Sequence, residues 1–213
     1  MSDLWRRGDP IERLTERLDS GGFLAVPTES SYGLAADPRS EHGVEAIFRA
    51  KGRADTKPLP VVAADREQLE SLGVCFPGQL AELTRRWPAP LTLVAELSEP
   101  LAASRGRRRL AVRVPADEEL HRLLRRLGRA VTATSANRSG APPLLTPEEV
   151  LDAFPESPLT VVDAGRMPGG LPSTLLGVEG GQVVLLRSGR YPWPSAGAEF
   201  SAASVEISGR RSG

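Results

Sequence analysis

The chain has 213 residues, 40% of them apolar and 25% charged, with 27 basic residues against 27 acidic ones. That length suits one ordinary domain with its own core, and the balanced charge excludes bulk attraction to nucleic acid or membrane as the dominant property. A single cysteine, Cys75, excludes an internal disulfide and a multi-cysteine metal site; with no 18-residue apolar run and no signal-peptide core, it points to a cytoplasmic protein with no membrane attachment.

The elements follow in order. Asp9-Pro10 reads as an N-cap and first helical residue, with Ile11, Leu14 and Leu18 as the apolar stripe and Gly21-Gly22 as the stop. FLAVP (23–27) reads as a short buried strand entering the loop TESSYGLAADPR. A helix follows Ser40, with Val44, Ile47 and Phe48 on one face and Gly52 beyond its end. LPVVAA (59–64) reads as a strand, and Asp65 with Gln68 three residues on opens a short helix. Residues 78–87 read as helix, 91–97 and 109–114 as strands, 117–127 as helix, and AVTATS (130–135) as one strand. Thr146 and Glu149 form a capping-box pattern ahead of a helix to Phe154, and LTVVDAG, STLLGV and QVVLLR close the fold. Strands in direct succession among helices predict an α/β domain with a mixed, twisted sheet, spanning 1–188. The Pro-, Gly-, Ser- and Ala-rich segment 189–213 reads as a poorly ordered tail.

Familiar catalytic devices are missing. The sequence has no G-x-x-x-x-G-K-[ST] phosphate loop, and His42 and His121 both fall in predicted helices, so neither a histidine metal cluster nor a Ser-His-Asp triad is expected. What stands out is lysine usage: the only two lysines, Lys51 and Lys57, lie within KGRADTKP, whereas the other basic residues are all arginine. Four polar loops (PTESSYGL, KGRADTKP, TSANRSG and GGLPST) gather cations with hydroxyl and amide groups. The cations are Lys51, Arg53, Lys57, Arg113 and Arg187, and the neutral partners are Thr28, Ser135, Asn137, Ser173 and Thr174. Such a mixture suits an anionic ligand with a polar body, a nucleoside triphosphate for instance.

These loops resemble the threonylcarbamoyl-adenylate synthase family, also called YrdC-like, over about residues 23–189. The motifs that carry the resemblance are PTESSYGL, KGRADTKPL, WPAPLT, LAVRVP, SANRSG, PSTLL and LLRSG, in family order. The resemblance implies an open, twisted mixed sheet with helices and a concave, positively charged face. It implies a nucleotidyltransferase that makes threonylcarbamoyl-adenylate and pyrophosphate from L-threonine, bicarbonate and ATP, with Mg2+ assisting. A partner transferase complex would then pass the group to tRNA. By motif, Lys51, Arg53, Ser135 and Asn137 would be catalytic. Lys51, Arg53, Lys57, Asn137 and Arg187 would bind ATP; Thr28, Ser30, Tyr32, Arg113, Ser135 and Ser173 would bind threonine; no protein-held metal is expected. Departures from the pattern are Ser30 and Ser31, Val62 where a histidine is usual, Pro143-Leu144-Leu145 where Ser-Pro-Thr is usual, and Ser173-Thr174-Leu175-Leu176-Gly177 for S-T-V-V-D, which loses a carboxylate at Gly177. The chain ends soon after LLRSG, so the resemblance leaves any lid to the tail or to a partner.

Two other readings fit parts of the sequence. One is a divergent paralogue activating another substrate. The other is a non-catalytic nucleotide- or RNA-binding module, since nine arginines between Arg105 and Arg129 face only Asp117, Glu118 and Glu119.

Overall fold

The computed structural model of the chain describes residues 2–52 and 57–194. The first half runs β1 (Asp3–Trp5), α1 (Glu12–Asp19), β2 (Phe23–Pro27), β3 (Tyr32–Ala35), α2 (Glu41–Lys51), β4 (Val61–Val62), α3 (Arg66–Ser71), β5 (Val74–Cys75) and α4 (Gln79–Thr84). The second half runs β6 (Leu91–Leu97), β7 (Arg109–Arg113), α5 (Glu118–Leu127), β8 (Val131–Thr132), β9 (Thr134–Ser135), α6 (Pro147–Ala153), β10 (Leu159–Val162), β11 (Thr174–Glu179) and β12 (Gln182–Arg187).

The mixed α/β class is as expected, but the strands divide between two sheets. One has five strands in the order β1-β10-β2-β3-β9; the other has the path β12-β11-β6-β7-β4-β8, with β5 added beside β6. Both mix parallel and antiparallel pairs: β2 runs parallel to β10 and antiparallel to β3, and β7 runs parallel to β4 and antiparallel to β6. The predicted strand 130–135 is two strands. Val131 and Thr132 pair with β4 in the larger sheet, whereas Thr134 and Ser135 pair with β3 in the smaller one. The chain changes sheets at Ala133, and this crossing delivers Ser135 to the place where the two sheets meet.

β2 shows why FLAVP is apolar throughout. Side chains alternate across a strand, and here both faces are covered. Phe23 and Ala25 enter the main core together with Ile47 and Phe48 of α2 and Leu91 and Leu93 of β6. Leu24 and Val26 enter a second core beneath Leu14 and Leu18 of α1 and Leu120, Leu123, Leu124 and Leu127 of α5. The α5 leucines keep the i, i+3, i+4, i+7 spacing of a single helix face, which leaves Arg122 and Arg125 facing outward.

Two of the predicted caps are present: Asp65 accepts from Gln68 N, and Thr146 and Glu149 satisfy each other's backbone amides; Ser40, accepting from Gly43 N, and Asp117, accepting from Leu120 N, also cap the helices that follow them. The first helix differs. It starts at Glu12 with Ile11 at the N-cap, and Asp9 instead accepts from Arg6 N and pairs with Arg13. Strands β1 and β3 were not predicted. DLW is too short to show a period, and β3 lies inside a stretch whose flanking Ser and Asp residues read as loop. Residues 189–194, assigned by composition to the tail, make specific bonds to the body. Arg190 N donates to Pro172 O, Thr174 Oγ1 donates to Tyr191 O, and the Arg86 guanidinium lies over the Trp193 ring.

Tyr32, in β3, is fully buried. Its hydroxyl donates to Gly165 O at 2.9 Å and accepts from Ala164 N at 3.1 Å, tying β3 to the connection after β10. Burial pushes its pKa from 10.0 up to about 12, against the opposing hydrogen bond from Ala164 N. The raised value means that the fold favours the neutral phenol. The corresponding stability is fully present below pH 10.0 and is lost as pH rises through about 12. The chain has two tyrosines, so Tyr32→Phe is expected to remove the tyrosinate absorbance step near pH 12 and to flatten the alkaline loss of stability; a titration curve of unchanged shape would contradict this. Ile47→Ala, at a position with no exposed surface, is expected to cost about 2–5 kcal/mol in chemical denaturation through lost burial and the cavity left behind.

Candidate active site

A cavity of about 400 Å³ opens where the two sheets meet. Its walls are the 28–33 turn between β2 and β3, the start of β4, the ends of β7 and β9, the 170–173 loop and Arg187 at the end of β12. Seven residues expected from the sequence line it: Thr28, Ser30, Tyr32, Arg113, Ser135, Ser173 and Arg187. Val62, where the family pattern has histidine, also lines it, beside Arg113 in the β4–β7 register.

Each wall is fixed by short-range bonding. Thr28 closes the first turn: its Oγ1 donates to Ser31 O at 2.7 Å and accepts from the amides of Ser30 and Ser31. Such Ser/Thr turns satisfy backbone groups that no ladder reaches. Ser30 O accepts from Gly169 N at 2.8 Å, joining this turn to the 170–173 loop. On the opposite wall Ser173 Oγ lies 2.7 Å from Thr92 Oγ1, and the Arg187 guanidinium donates to Ser173 O at 2.9 Å.

The loop after β9 is held from behind by Lys51. This lysine is the last residue of α2 and is buried, with Gly52 in the left-handed conformation ending the helix. Its ammonium donates to Ser135 O at 2.5 Å, Asn137 O at 2.9 Å and Asn137 Oδ1 at 3.1 Å. Asn137 Oδ1 also accepts from Ser135 Oγ at 2.6 Å, and its amide nitrogen donates to Ala141 O at 2.6 Å. Lys51 and Asn137 therefore shape the wall from behind the cavity-lining Ser135. Lys57 is exposed, and Arg53 lies outside the described residues.

The electrostatics are lopsided. Among the described residues Arg113, Arg187 and Arg190 line the cavity against one acidic side chain, Glu29. Glu29 Oε1 accepts from Arg113 Nη1 at 2.6 Å and from Ala116 N at 3.2 Å, and each side chain of the pair is only 11% exposed. Burial, and then the neighbouring Arg113 charge, lower the pKa of Arg187 from its ordinary value. The surplus of positive charge in a partly water-excluded space suits a polyanionic ligand. Sequence reasoning missed Glu29, Thr92 and Arg190. The glutamate stands in the quoted opening motif, whereas Thr92 and Arg190 carry no local signal.

The arginine-rich run from Arg105 to Arg129 is largely engaged inside the molecule. Arg105 pairs with Glu45, Arg108 with Glu99, Arg122 with Glu119, and Arg129 with Asp19 and Asp37. Arg126 lies over the Trp5 ring. Among the described residues no cluster of three or more His, Cys, Asp or Glu side chains could hold a metal, and no helix is long and apolar enough to cross a membrane.

The chain is similar to a set of curated proteins and solved structures. A "Threonylcarbamoyl-AMP synthase" of Chromobacterium violaceum is 38% identical over 181 residues, covering 81% of this chain and 91% of that protein. The protein of the same name from Pyrococcus abyssi is 38% identical over 175 residues, again 81% of this chain but 52% of its own length, so the chain spans about half of that relative. The crystal structure of P. abyssi Sua5 complexed with L-threonine superposes with a TM-score of 0.77 at 34% identity, covering 89% of this chain and 57% of that one. The structure of E. coli YciO, at 21% identity and a TM-score of 0.73, shares the fold. The family model described as "Telomere recombination", which groups Sua5, YciO and YrdC, matches residues 16–189. With that span matched and the family's motifs arranged around one cavity, the chain belongs to the Sua5/YciO/YrdC family.

Proposed function

We propose that this chain is an L-threonylcarbamoyladenylate synthase: a nucleotidyltransferase that joins L-threonine, bicarbonate and the adenylyl group of ATP and releases pyrophosphate, in the cytoplasm, for tRNA threonylcarbamoyladenosine formation. The observation that carries the reading is the cavity itself, with three arginines and one glutamate facing a wall of hydroxyls. Relatives that bear the synthase name, and a relative solved with L-threonine, support the choice of substrates.

The chemistry asks for positioning and charge rather than a protein nucleophile. A carbamate is a weak nucleophile, so the site must hold it in line with the α-phosphorus. Negative charge gathers on the phosphates as the bond to pyrophosphate breaks, and fixed cations facing that charge lower the barrier. In this reading Arg187 and Arg190 face the phosphates, and Ser135 and Ser173 orient the acyl-adenylate. Arg113 takes the threonine carboxylate on the wall it shares with Thr28 and Ser30, while Tyr32, its hydroxyl held by residues 164–165, anchors that wall. Lys51 positions the 135–141 loop and supplies positive charge behind it, and Asn137 transmits that hold to Ser135. Arg53 and Lys57 are assigned to the triphosphate on resemblance alone. Mg2+ would enter on the triphosphate, whose oxygens supply most of its coordination, rather than in a cage of side chains. The product would pass to a tRNA-modifying transferase complex.

Two measurements check the proposal. Pyrophosphate release should require both L-threonine and bicarbonate, and release that ignores threonine would refute the reading. Lys51→Met, which keeps the stem and removes the ammonium, is expected to lower kcat about 100-fold or more. It should also lower thermal stability, because the backbone oxygens of Ser135 and Asn137 lose the ammonium and Asn137 Oδ1 keeps only Ser135 Oγ. Arg187→Ala is expected to raise KM for ATP about tenfold while changing KM for threonine less.

A further inference from the structure

Glu119, Arg122, Leu123 and Arg126 stand at i, i+3, i+4 and i+7 of α5, so they share one face of the helix, bordering the leucine stripe that enters the second core. That face and the ends of three strands line a cavity of about 300 Å³. Trp5 is the last residue of β1, Val162 of β10 and Pro27 of β2, and the three strands run parallel, side by side. The carboxyl ends of parallel strands are where open α/β sheets take ligands, because the segments leaving there part and open a crevice. This cavity shares no lining residue with the one at the junction of the two sheets.

Its lining divides into a floor and a rim. Trp5, Pro27, Leu123 and Val162 are buried and apolar, whereas Arg7, Arg122, Arg126 and Glu119 are exposed and Asp163 is half-buried. Both carboxylates are already engaged. Glu119 Oε1 lies 2.8 Å from Arg122 Nη1 and 3.9 Å from Arg7 Nη1, and Asp163 Oδ2 lies 4.0 Å from Arg6 Nε. Arg126 has no carboxylate partner among the described residues; its guanidinium carbon stands 5.7 Å from the centroid of the Trp5 ring. A guanidinium held over a ring still offers N–H groups to an anion and a flat surface to a second ring.

These features select one ligand chemistry. An apolar body takes the floor out of water, and a flat one fits beside the Arg126–Trp5 stack. A single negative charge balances a rim of three arginines and two carboxylates, while a polyanion would be repelled by Glu119 and Asp163. At about 30 Å³ for each water-sized group, the volume holds about ten non-hydrogen atoms.

We propose that this second cavity is a binding site for a small aromatic carboxylate, its ring on the floor formed by Trp5 and Leu123 and its carboxylate on Arg126. The inference goes beyond the proposed function and does not depend on it. An arginine that only shielded Trp5 from water would show no selectivity for such a ligand.

The test is titration of the full chain with phenylacetate, read at the Trp5 indole N–H by heteronuclear magnetic resonance. The chain has three tryptophans, so Trp87→Phe and Trp193→Phe assign the Trp5 signal by elimination. Phenylacetate is expected to saturate the shift with a Kd of about 1 mM or below. Phenylacetamide, which lacks the charge, and acetate, which lacks the ring, are expected to bind about tenfold more weakly or worse. Arg126→Gln, a change at an exposed position, should weaken phenylacetate about tenfold, and Arg187→Gln in the first cavity should leave it within about twofold. Failure to saturate below about 10 mM, equal affinities for the three compounds, or wild-type binding by Arg126→Gln overturns the proposal. So does a Kd that follows Arg187 in place of Arg126, which would put the probe in the first cavity. If Arg126→Gln does not fold, the three-compound series on the unaltered chain decides alone.

Discussion

One buried ammonium sets the geometry on which the site depends. Lys51 comes from the end of α2, whose Val44, Ile47 and Phe48 are anchored in the main core, and it reaches the loop after β9 with three donors for three oxygens. Each such charge-assisted bond contributes about 1.5–3 kcal/mol before the cost of burying the charge is subtracted. Its value lies less in net stability than in definition. Arginine could not reproduce the arrangement: its flat fork spreads donors in a plane, whereas an ammonium directs three from one point. That gives a physical reason for a lysine at this position in a chain that otherwise uses arginine almost throughout.

The same loop marks the seam of the fold. Between Thr132 and Thr134 the backbone leaves one sheet and joins the other, and Ala136 N then bonds to Tyr32 O while Tyr32 N bonds to Leu144 O. Tyr32 is thus gripped by backbone on both sides, with its hydroxyl fixed to residues 164–165. A cavity at the junction of two sheets can take ligand groups from both. Arg113 and Thr92 come from the larger sheet, and Thr28, Glu29 and Ser135 from the smaller one or its turns. Residues of several of the family's dispersed motifs meet in this one cavity.

What was legible beforehand follows from how local each signal is. The Asp65 and Thr146 caps act within four residues, and the α5 leucines repeat within one helix, so sequence alone places them. Seven of the expected site residues line one cavity, whereas Lys51 and Asn137 stand behind its wall. Pairing between distant segments was not legible. β1 is three residues long and exists because β10 offers it a parallel partner, and nothing within AVTATS reports that its two halves belong to different sheets. Asp9 misled for a related reason: it has the composition of a cap, but Arg6 N and Arg13 claim its carboxylate. The Arg105–Arg129 run looks like a polyanion surface in one dimension, yet apart from Glu119 the carboxylates it pairs with, among them Glu45, Glu99, Asp19 and Asp37, lie outside that window.

That last contrast bears on how the molecule separates two kinds of positive charge. On the outer surface many arginines are paired with carboxylates, so their field is short-ranged and further weakened by salt. Among the described residues three arginines and a single glutamate line the cavity, and Arg187 is close enough to Arg113 to feel its repulsion. Stacking like charges in a confined space costs stability in the empty protein, and a polyanion relieves that cost on binding. The balanced total charge of the chain conceals this arrangement entirely. The functional information lies in where compensation is withheld, and the described structure withholds it at the junction of the two sheets, where Glu29 offsets one of the three arginines that line the cavity.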